Sequence, residues 1–264
     1  MTSPLISVIT VCFNSAKTIA RTLNSLKNQS CRDFESIVVD GGSTDGTQEI
    51  IKSLGERVNH FISEPDQGIY DAMNKGLALA SGTYIAFLNS DDYYLPNTIQ
   101  LLSDQGSDAD IYFGNMIKER ELNGTVFRRT EIPDLSRMKE TMSIFHPSVF
   151  AKRDLFQSLG KFSLQYSLAS DYHWLLRAYL NGAKFEHVDE ALSVFTIGGV
   201  SNYSCKSYSE AAAIQDELGL PNESMLELNR LCKSKLRRNR LVAKIVQLPV
   251  FKSIYESRIK KRWS

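Results

Sequence analysis

The first half of the chain alternates short apolar runs with stretches in which apolar residues recur every three or four positions. Residues 5–13, 34–40 and 83–88 form runs short enough to be strands buried on both faces. Residues 16–29 carry isoleucine and leucine at helical spacing after a polar start. This succession of strand, turn and helix predicts βαβ units, and therefore an α/β fold with a mainly parallel sheet.

The same pattern predicts further elements along the chain. The dipeptide Asn123-Gly124 is a strong turn signal and predicts a β-hairpin over 115–130. The other predicted elements are helices at 47–54, 71–80, 154–159, 170–180 and from 207 onward, and strands at 60–63, 110–114, 184–188 and 191–196.

Size and cysteine usage limit the class of protein. A chain of 264 residues that is 42% hydrophobic can bury a substantial core, which favours one domain with an appendage. No apolar run approaches the roughly 18 residues that cross a bilayer, and the first residues carry no secretion signal. The four cysteines lack paired spacing, which favours reduced thiols in a cytosolic protein over disulfides or zinc; they are Cys12, Cys31, Cys205 and Cys232.

The net charge of +1 conceals a basic C-terminal segment. Residues 230–264 carry 12 Lys/Arg and one acid, a charge of +11, so the remainder carries −10. Apolar residues between the basic clusters make the segment amphipathic, which favours an anionic membrane surface as its partner. Binding to nucleic acid would explain the charge alone, but no recognition module accompanies it. A solvated helix packed on the body is the other alternative.

Acidic residues follow the apolar run 83–88. Asp91 and Asp92 are adjacent carboxylates, which repel each other unless a cation or hydrogen bonds offset them. Ligands bind at the carboxyl edge of open α/β sheets, and such oxygens suit Mg²⁺ or Mn²⁺. The alternative is an acidic turn in which Asp92 or a neighbour caps the next helix.

Asp40 ends the second predicted strand and precedes a glycine-rich turn. A carboxylate there can accept from a nucleobase N–H or a ribose hydroxyl, and glycines allow close backbone approach to a ligand. The turn is neither G-x-G-x-x-G nor a P-loop. Asp45, within the turn, is interpreted as a helix cap.

Six ordered segments resemble the inverting GT-A nucleotide-sugar glycosyltransferases of family two, over about residues 5–200. The segments are 6–14, 38–47, 63–76, 80–92, 170–177 and 198–201. The resemblance is greatest to the branch that includes colanic-acid-type exopolysaccharide transferases. It implies a GT-A, Rossmann-like fold at 1–203, with a nucleotide-sugar-binding half at 1–114, an acceptor half at 115–203 and a basic helical extension at 204–264.

The resemblance also implies roles for individual residues. The residues implied to hold the nucleotide are Thr10, Cys12, Asn14, Asp40 and Asn89. Asp91 is implied as the ligand of Mn²⁺ or Mg²⁺, with Asp92 beside it. Asn89 replaces the first aspartate of the family's D-x-D motif, and an amide brings hydrogen bonds but no charge.

Asp171 matches the family's general base, which would take the proton from the acceptor hydroxyl. The family's preceding glutamate is Ser170 here. The alternative is that Asp171 or Ser170 only caps the helix at 170–180.

Further residues are predicted with a structural alternative for each. Asp66 and Asp71 line the sugar pocket, or serve as a turn residue and a cap. Trp174 stacks on a sugar, or belongs to the core, and His146 positions an acceptor group, or is structural. The loop residues Gly198, Gly199 and Ser201 close over the diphosphate.

The sequence therefore predicts transfer of a sugar from a UDP- or GDP-linked donor to a lipid-linked saccharide, for cell-surface polysaccharide or glycolipid. We expect a cytoplasmic protein, peripheral on the inner face of the plasma membrane, that binds no nucleic acid. A degenerate subunit that binds nucleotide as a scaffold is the alternative outside enzymes, favoured by Asn89 and Ser170. A nucleotidyltransferase is disfavoured, since residues 11–14 lack its basic glycine-rich signature.

Overall fold

The computed structural model describes residues 3–55, 58–106, 108–122, 124–197 and 205–246, with the backbone alone for 236–246. Its strands form one sheet in the order β3-β2-β1-β4-β8-β6-β9-β5, and β7 pairs with β6. Helices pack on both faces, so this is the predicted α/β class.

The first half supplies four parallel strands, as the apolar runs predicted. Cys12 pairs with Asp40, and Asp40 pairs with Ser63, so the carboxyl ends of these three strands lie in line. The elements are β1 (Ile6–Cys12), α1 (Ile19–Lys27), β2 (Phe34–Asp40), α2 (Thr47–Ser53), β3 (His60–Ser63), α3 (Ile69–Leu79) and β4 (Tyr84–Phe87).

The second half adds strands that pair antiparallel, except that its two longest strands pair parallel to each other. These elements are β5 (Tyr93–Tyr94), α4 (Thr98–Asp104), β6 (Ile111–Leu122), β7 (Thr125–Glu131), β8 (Val149–Lys152), α5 (Arg153–Ser158), α6 (Ser170–Leu180), β9 (Phe185–Thr196), α7 (Lys206–Glu217) and α8 (Glu223–Val246). Leu122 pairs with Thr125, which confirms the predicted hairpin. The two strands predicted at 184–188 and 191–196 are instead one strand, whose register against β6 shifts near Gly114.

Two apolar cores lie on the two faces of the sheet. One core contains Ile9 and Val39 with residues of α3 and α6, and it extends to Ala211 and Ile214 of α7. The other contains Val8 and residues of α1 and α4. Alternate residues of β1 thus face opposite cores, which explains why its sequence is apolar throughout.

The prediction that all four cysteines are reduced thiols is wrong for one pair. Cys205 and Cys232 form a disulfide across 27 positions of sequence, with Cα atoms 5.8 Å apart. They lie on opposite sides of the turn between α7 and α8, so the helical hairpin brings together two residues whose spacing gave no pairing signal. Cys12 and Cys31 are free.

Within the described residues, no helix combines the length and apolar character that a membrane-spanning segment needs.

Candidate active site

Asp40 lies at the carboxyl end of β2 and is fully buried. Its carboxylate accepts five hydrogen bonds, from Gly42 N (3.2 Å), Ser43 N (2.9 Å), the Ser43 hydroxyl, Ser63 Oγ (2.7 Å) and Cys12 Sγ (3.5 Å). Burial alone would raise the pKa of Asp40, but these donors, Ser43 first, hold it below its ordinary value. A nucleotide that binds Asp40 therefore meets a charged carboxylate fixed by its own turn.

The end of β1 contributes polar groups beside Asp40. Burial and the Asp40 charge raise the pKa of the Cys12 thiol, so Cys12 is a neutral donor rather than a reactive thiolate. Thr10 Oγ1 is buried and has no hydrogen-bond partner within the part of the chain that the structure describes. The nucleotide roles of Thr10 and Cys12 remain predictions.

The loop after β1 is joined to the turn after β2. Asn14, at φ 49°, donates its N–H to Ser43 Oγ at 2.7 Å and accepts from Thr44 N at 3.0 Å. Asp45 accepts from Thr47 N at 3.1 Å and from Ala16 N at 3.0 Å. The N-cap residue of α2 is Gly46, so Asp45 lies one position before the predicted cap role and holds the N–H of the first helical residue.

Phe13 lies beside the candidate site, and sequence reasoning did not single it out. Its side chain is 63% exposed although it follows a buried strand. A Cβ on Gly41 would lie 3.4 Å from the Phe13 ring and 2.5 Å from Asp66 Oδ2, so both side chains lie against the Gly41 backbone. The sequence signal that could have indicated Phe13 is a large aromatic residue between the end of β1 and Asn14.

The acidic turn after β4 is formed by residues 89–92 and contains one partly exposed and one buried carboxylate. Asp91 is partly exposed, and burial raises its pKa while Arg21 opposes the shift. Asp92 is fully buried, and burial followed by the Asp91 charge raises its pKa well above the ordinary value. Asp92 Oδ1 accepts from Thr196 N at 3.0 Å, which ties the turn to the end of β9. The helix that follows is capped at Asn97, so Asp92 is not its cap.

Side chains of α1 and the loop before it hold the acidic turn. Arg21 donates to the Asp91 carbonyl at 2.7 Å, and Thr22 Oγ1 donates to the carbonyls of Ser90 at 2.9 Å and Asp92 at 2.7 Å. The hydroxyls of Ser15 and Ser90 lie 2.8 Å apart. The turn is therefore fixed beside the loop that carries Asn14.

The residues of the acidic turn fit a divalent ion shared with a ligand. Asp92 Oδ2 and Asn89 Oδ1 are buried without a hydrogen-bond partner among the described atoms, and Asp91 is adjacent. No group of three or more His, Cys, Asp or Glu side chains that could bind a metal occurs within the described ranges. A site completed by donor phosphates suits Mg²⁺ or Mn²⁺, which commonly use one or two carboxylates plus substrate oxygens.

Asp171 lies in the first turn of α6 and contacts α3. Its Oδ1 accepts from the Tyr70 hydroxyl at 2.8 Å and from Tyr172 N at 2.9 Å. Tyr70 is buried, and burial followed by the Asp171 charge raises the Tyr70 pKa well above its ordinary value. Tyr70 is thus a neutral donor, and no hydrogen bond from the described residues occupies Asp171 Oδ2. Sequence reasoning missed Tyr70, because nothing along the chain pairs it with Asp171.

A small cavity of about 20 Å³ lies beside Asp171, room for about one water. His146 and Phe87 line it, and their rings stack with centroids 5.8 Å apart. His146 Nε2 is buried without a partner among the described groups. Burial lowers the His146 pKa, although the Asp171 charge opposes this. His146 therefore faces the proposed base as a neutral imidazole.

Trp174 belongs to the core, as the structural alternative held. It is 2% exposed, its ring stacks on Phe156 with centroids 4.0 Å apart, and its Nε1 donates to Gly160 O at 2.9 Å. The ring is therefore almost entirely buried with one face on Phe156, so the predicted sugar stacking is not supported.

Asp66 and Asp71 form local hydrogen bonds at the start of α3. Asp66 accepts from Gly68 N at 2.8 Å, and Asp71 accepts from Gln67 N at 3.0 Å. These are the turn and cap roles, although Asp66 also lies against Gly41. The predicted loop residues Gly198, Gly199 and Ser201 lie outside the described residues.

The candidate residues converge on one edge of the sheet. Asp40 is bonded to Ser63 at the end of β3, and α3, which begins six residues later, binds Asp171 through Tyr70. Phe87, the last residue of β4, shares a cavity with Asp171 and is followed directly by the acidic turn. The three carboxylates thus lie at the end of β2, after β4 and at the start of α6.

Proteins of similar sequence are glycosyltransferases. The PGL/p-HBAD biosynthesis glycosyltransferase of Mycobacterium tuberculosis is 36% identical over 213 residues, which span 76% of this chain and 81% of that protein. Glycosyltransferase AglE of Haloferax volcanii is 30% identical over 190 residues, 67% of this chain and 62% of AglE.

Solved structures share the fold and confirm the predicted GT-A class. S. aureus TarS 1-349 superposes with a TM-score of 0.64 at 26% identity, over 83% of this chain and 68% of TarS 1-349. In the complex of TarS 1-349 with UDP, the chain spans 64% of that protein's length. The mannosyltransferase PcManGT from Pyrobaculum calidifontis, solved with GDP-Man and Mn²⁺, has a TM-score of 0.61 at 17% identity, over 100% of this chain and 85% of PcManGT.

The glycosyl transferase family 2 profile matches residues 7–167, which contain the strands, the glycine-rich turn and the acidic turn described above. The chain belongs to glycosyl transferase family 2, and its activity is that of a glycosyltransferase.

Proposed function

We propose that the protein transfers a sugar from a UDP- or GDP-linked donor to an acceptor hydroxyl with inversion, using Mn²⁺ or Mg²⁺, in the synthesis of a cell-surface polysaccharide or glycolipid. The single observation that carries the proposal is the bond from Tyr70 to Asp171. This bond supports the proposal because it links Asp171 to the start of α3, the helix that follows the carboxyl end of β3, and ligands of open α/β sheets bind at that edge.

The donor nucleotide occupies the loops after β1 and β2. The buried Asp40 carboxylate accepts five hydrogen bonds from the protein and so holds the glycine-rich turn that would meet the base and ribose. Phe13 offers an exposed ring for stacking on the base. Thr10, Asn14 and Asn89 contribute neutral polar groups. Donor binding of this kind is consistent with neighbours of the same fold that were solved with UDP-GlcNAc and with GDP-Man.

Asp91, with Asp92 and Asn89 beside it, would hold the divalent ion together with the donor diphosphate. When bound, the ion offsets the negative charge that the leaving diphosphate gains. Arg21 fixes this turn through the Asp91 carbonyl, so Asp91 is positioned before any ligand arrives.

Asp171 acts as the general base. The acceptor hydroxyl attacks the anomeric carbon and breaks the bond to the diphosphate, and its proton passes to Asp171 Oδ2. A single displacement of this kind inverts the anomeric configuration without a covalent intermediate. Tyr70 donates a hydrogen bond to Asp171 Oδ1. Neutral His146 lines the same cavity as Asp171 and contributes a polar group where the acceptor would bind.

The acceptor is a lipid-linked saccharide, and the basic segment 230–264 holds the enzyme on the anionic inner face of the plasma membrane. The support is charge, since +11 in 35 residues attracts anionic lipid at about 1 kcal/mol per basic residue near the surface. Leu226, Leu228 and Leu231 of α8 are exposed beside these charges. Binding to nucleic acid is not proposed.

The test is the variant Asp171→Asn. We expect transfer to be abolished while the nucleotide dissociation constant stays at its wild-type value, because the amide cannot take a proton. Asp154→Asn is the matched control, since Asp154 occupies the first turn of α5, is exposed and lies outside the site. Near-normal turnover of Asp171→Asn would refute the base assignment. Nucleotide binding without donor hydrolysis by the wild type would favour the scaffold alternative instead.

A further inference from the structure

The segment that leads into α6 is held by a residue of α7. Glu210 is buried, and its Oε1 accepts from Ser167 N (3.1 Å) and Ser167 Oγ (3.0 Å), while its Oε2 accepts from Leu168 N (2.8 Å) and Ala169 N (3.1 Å). The Glu210 carboxylate thus accepts four hydrogen bonds from residues 167–169. The last of these residues lies two positions before Asp171.

These bonds hold the three residues that precede α6, not the N–H groups of the helix itself. Its N-cap residue is Ala169, which has no side-chain acceptor for the first N–H groups of the helix. Glu210 brings a negative charge to the positive end of the helix dipole from a distant part of the chain. The charge is balanced by Lys206, whose ammonium lies 3.5 Å away.

Other side chains of α7 contact the same region. Gln215 Nε2 donates to the carbonyls of Lys139 and Glu140 and to the hydroxyl of Tyr172, each at 3.0 Å. Glu217 accepts from the Tyr166 hydroxyl. The helix therefore holds the first turn of α6 and the segment that precedes it, and Glu210 alone among these three contacts the residues just before Asp171.

We propose that Glu210 is a positioning residue for Asp171, so that α7 belongs to the catalytic apparatus although it lies beyond the family match at 7–167. The inference rests on the proposed role of Asp171 as base. Four hydrogen bonds fix the backbone at 167–169, and this fixes where the first turn of α6 presents the Asp171 carboxylate. Small displacements of a base from its proton reduce the rate strongly. Loss of order in residues 167–169 should therefore lower kcat and leave the affinity for the donor unchanged.

Three variants and a matched control test the proposal. Glu210→Ala removes all four bonds, Glu210→Gln keeps one carbonyl oxygen and two of them, and Ser167→Ala removes one. The control is Glu35→Ala, because Glu35 is also a buried carboxylate that binds a turn, accepting from Ser7 Oγ at 2.6 Å and from Ser81 N at 2.7 Å. Glu35 lies at the start of β2, the end of the strand opposite Asp40.

The first measurement is release of UDP from UDP-GlcNAc and of GDP from GDP-mannose, with Mn²⁺, below the melting temperatures of all variants. We expect kcat to fall in the order wild type, Ser167→Ala, Glu210→Gln, Glu210→Ala, with a loss of about tenfold or more for the last, at unchanged KM for the donor. Glu35→Ala should lose stability but keep its kcat. Equal kcat values for Glu210→Ala and Glu35→Ala would overturn the proposal.

The second measurement is amide hydrogen exchange in 167–172, which needs no substrate. We expect faster exchange there in Glu210→Gln and Glu210→Ala and wild-type exchange in Glu35→Ala. Unchanged exchange in both Glu210 variants would overturn the proposal, including when neither donor is hydrolysed. Failure of the base assignment has a separate signature, namely wild-type turnover in Asp171→Asn.

Discussion

The Tyr70 hydroxyl donates to Asp171 Oδ1 across 2.8 Å, between residues separated by 101 positions of sequence. The bond joins the first turn of α3 to the first turn of α6. One carboxylate oxygen is thus held by Tyr70, and in the proposed mechanism the other takes the proton of the acceptor.

Tyr70→Phe should lower kcat about tenfold and leave the donor dissociation constant unchanged, since a hydrogen bond to a charged group contributes about 1.5–3 kcal/mol. Steady-state kinetics and calorimetry measure the two quantities. Tyr84→Phe is the control, because its buried hydroxyl donates to Ala109 O at 2.9 Å, far from Asp171 in the other core. A wild-type kcat for Tyr70→Phe would remove Tyr70 from the site.

Asp91→Asn should lose most activity, by about 100-fold, because the charge that holds the divalent ion is gone. Thermal-shift titrations with Mn²⁺ in the presence of UDP or GDP measure the binding step. We expect the Mn²⁺-dependent rise in melting temperature of the wild type to disappear in Asp91→Asn and to persist in Asp154→Asn. Full wild-type activity in EDTA would contradict the metal requirement.

Phe13→Ala should raise the dissociation constant for the free nucleotide about tenfold, since stacking on an aromatic ring contributes about 1–3 kcal/mol per base. Calorimetry with UDP and GDP measures it. Ile132→Ala removes a side chain that is 71% exposed on another surface and should bind as the wild type does. Equal affinities for both variants would show that the exposed ring does not contact the base.

The contribution of Asp40 to the free energy of unfolding should depend on pH. Its pKa is lower in the folded protein than its ordinary value, so the carboxylate stabilises the fold above the unfolded-state pKa of about 3.9 and loses this contribution as pH falls through the folded pKa. Urea unfolding at pH 7, 5 and 3.5 measures the free energy of unfolding. The difference between wild type and Asp40→Asn should be largest at pH 7 and 5 and should shrink at pH 3.5; a constant difference would contradict the shift.

Reduction of the Cys205–Cys232 disulfide should lower the free energy of unfolding by about 3.5 kcal/mol, given the sequence separation of 27 between the two cysteines. Melting of the wild type with and without dithiothreitol measures the effect. The variant with both cysteines replaced by serine should melt near the reduced wild type and should not respond to dithiothreitol. A wild type that melts identically in both conditions would contradict the stabilisation.

The elements closest to prediction were those with a clear local signal. Strands 34–40 and 60–63 and the helix at 170–180 begin and end as predicted, because a uniform apolar run or a helical period stops at a polar or glycine-rich turn. The continuous strand β9 was missed, because its register shift against β6 depends on pairing that the sequence does not display.

The site was predictable as far as its residues lie at strand ends. Asp40 and Asp91 follow buried strands, so their shared edge could be inferred before any coordinates. Tyr70, Arg21 and Glu210 could not be inferred, since each acts on a residue distant in sequence and reads locally as an ordinary residue of an amphipathic helix. The disulfide was missed for the same reason.

The hairpin of α7 and α8 connects the basic end of the chain to the entry of α6. The disulfide joins α8 to the residue just before α7, and Glu210 of α7 accepts hydrogen bonds from the two residues that precede α6. If the basic segment binds a surface as proposed, the attachment point and the residue proposed as base are joined through one crosslinked pair of helices.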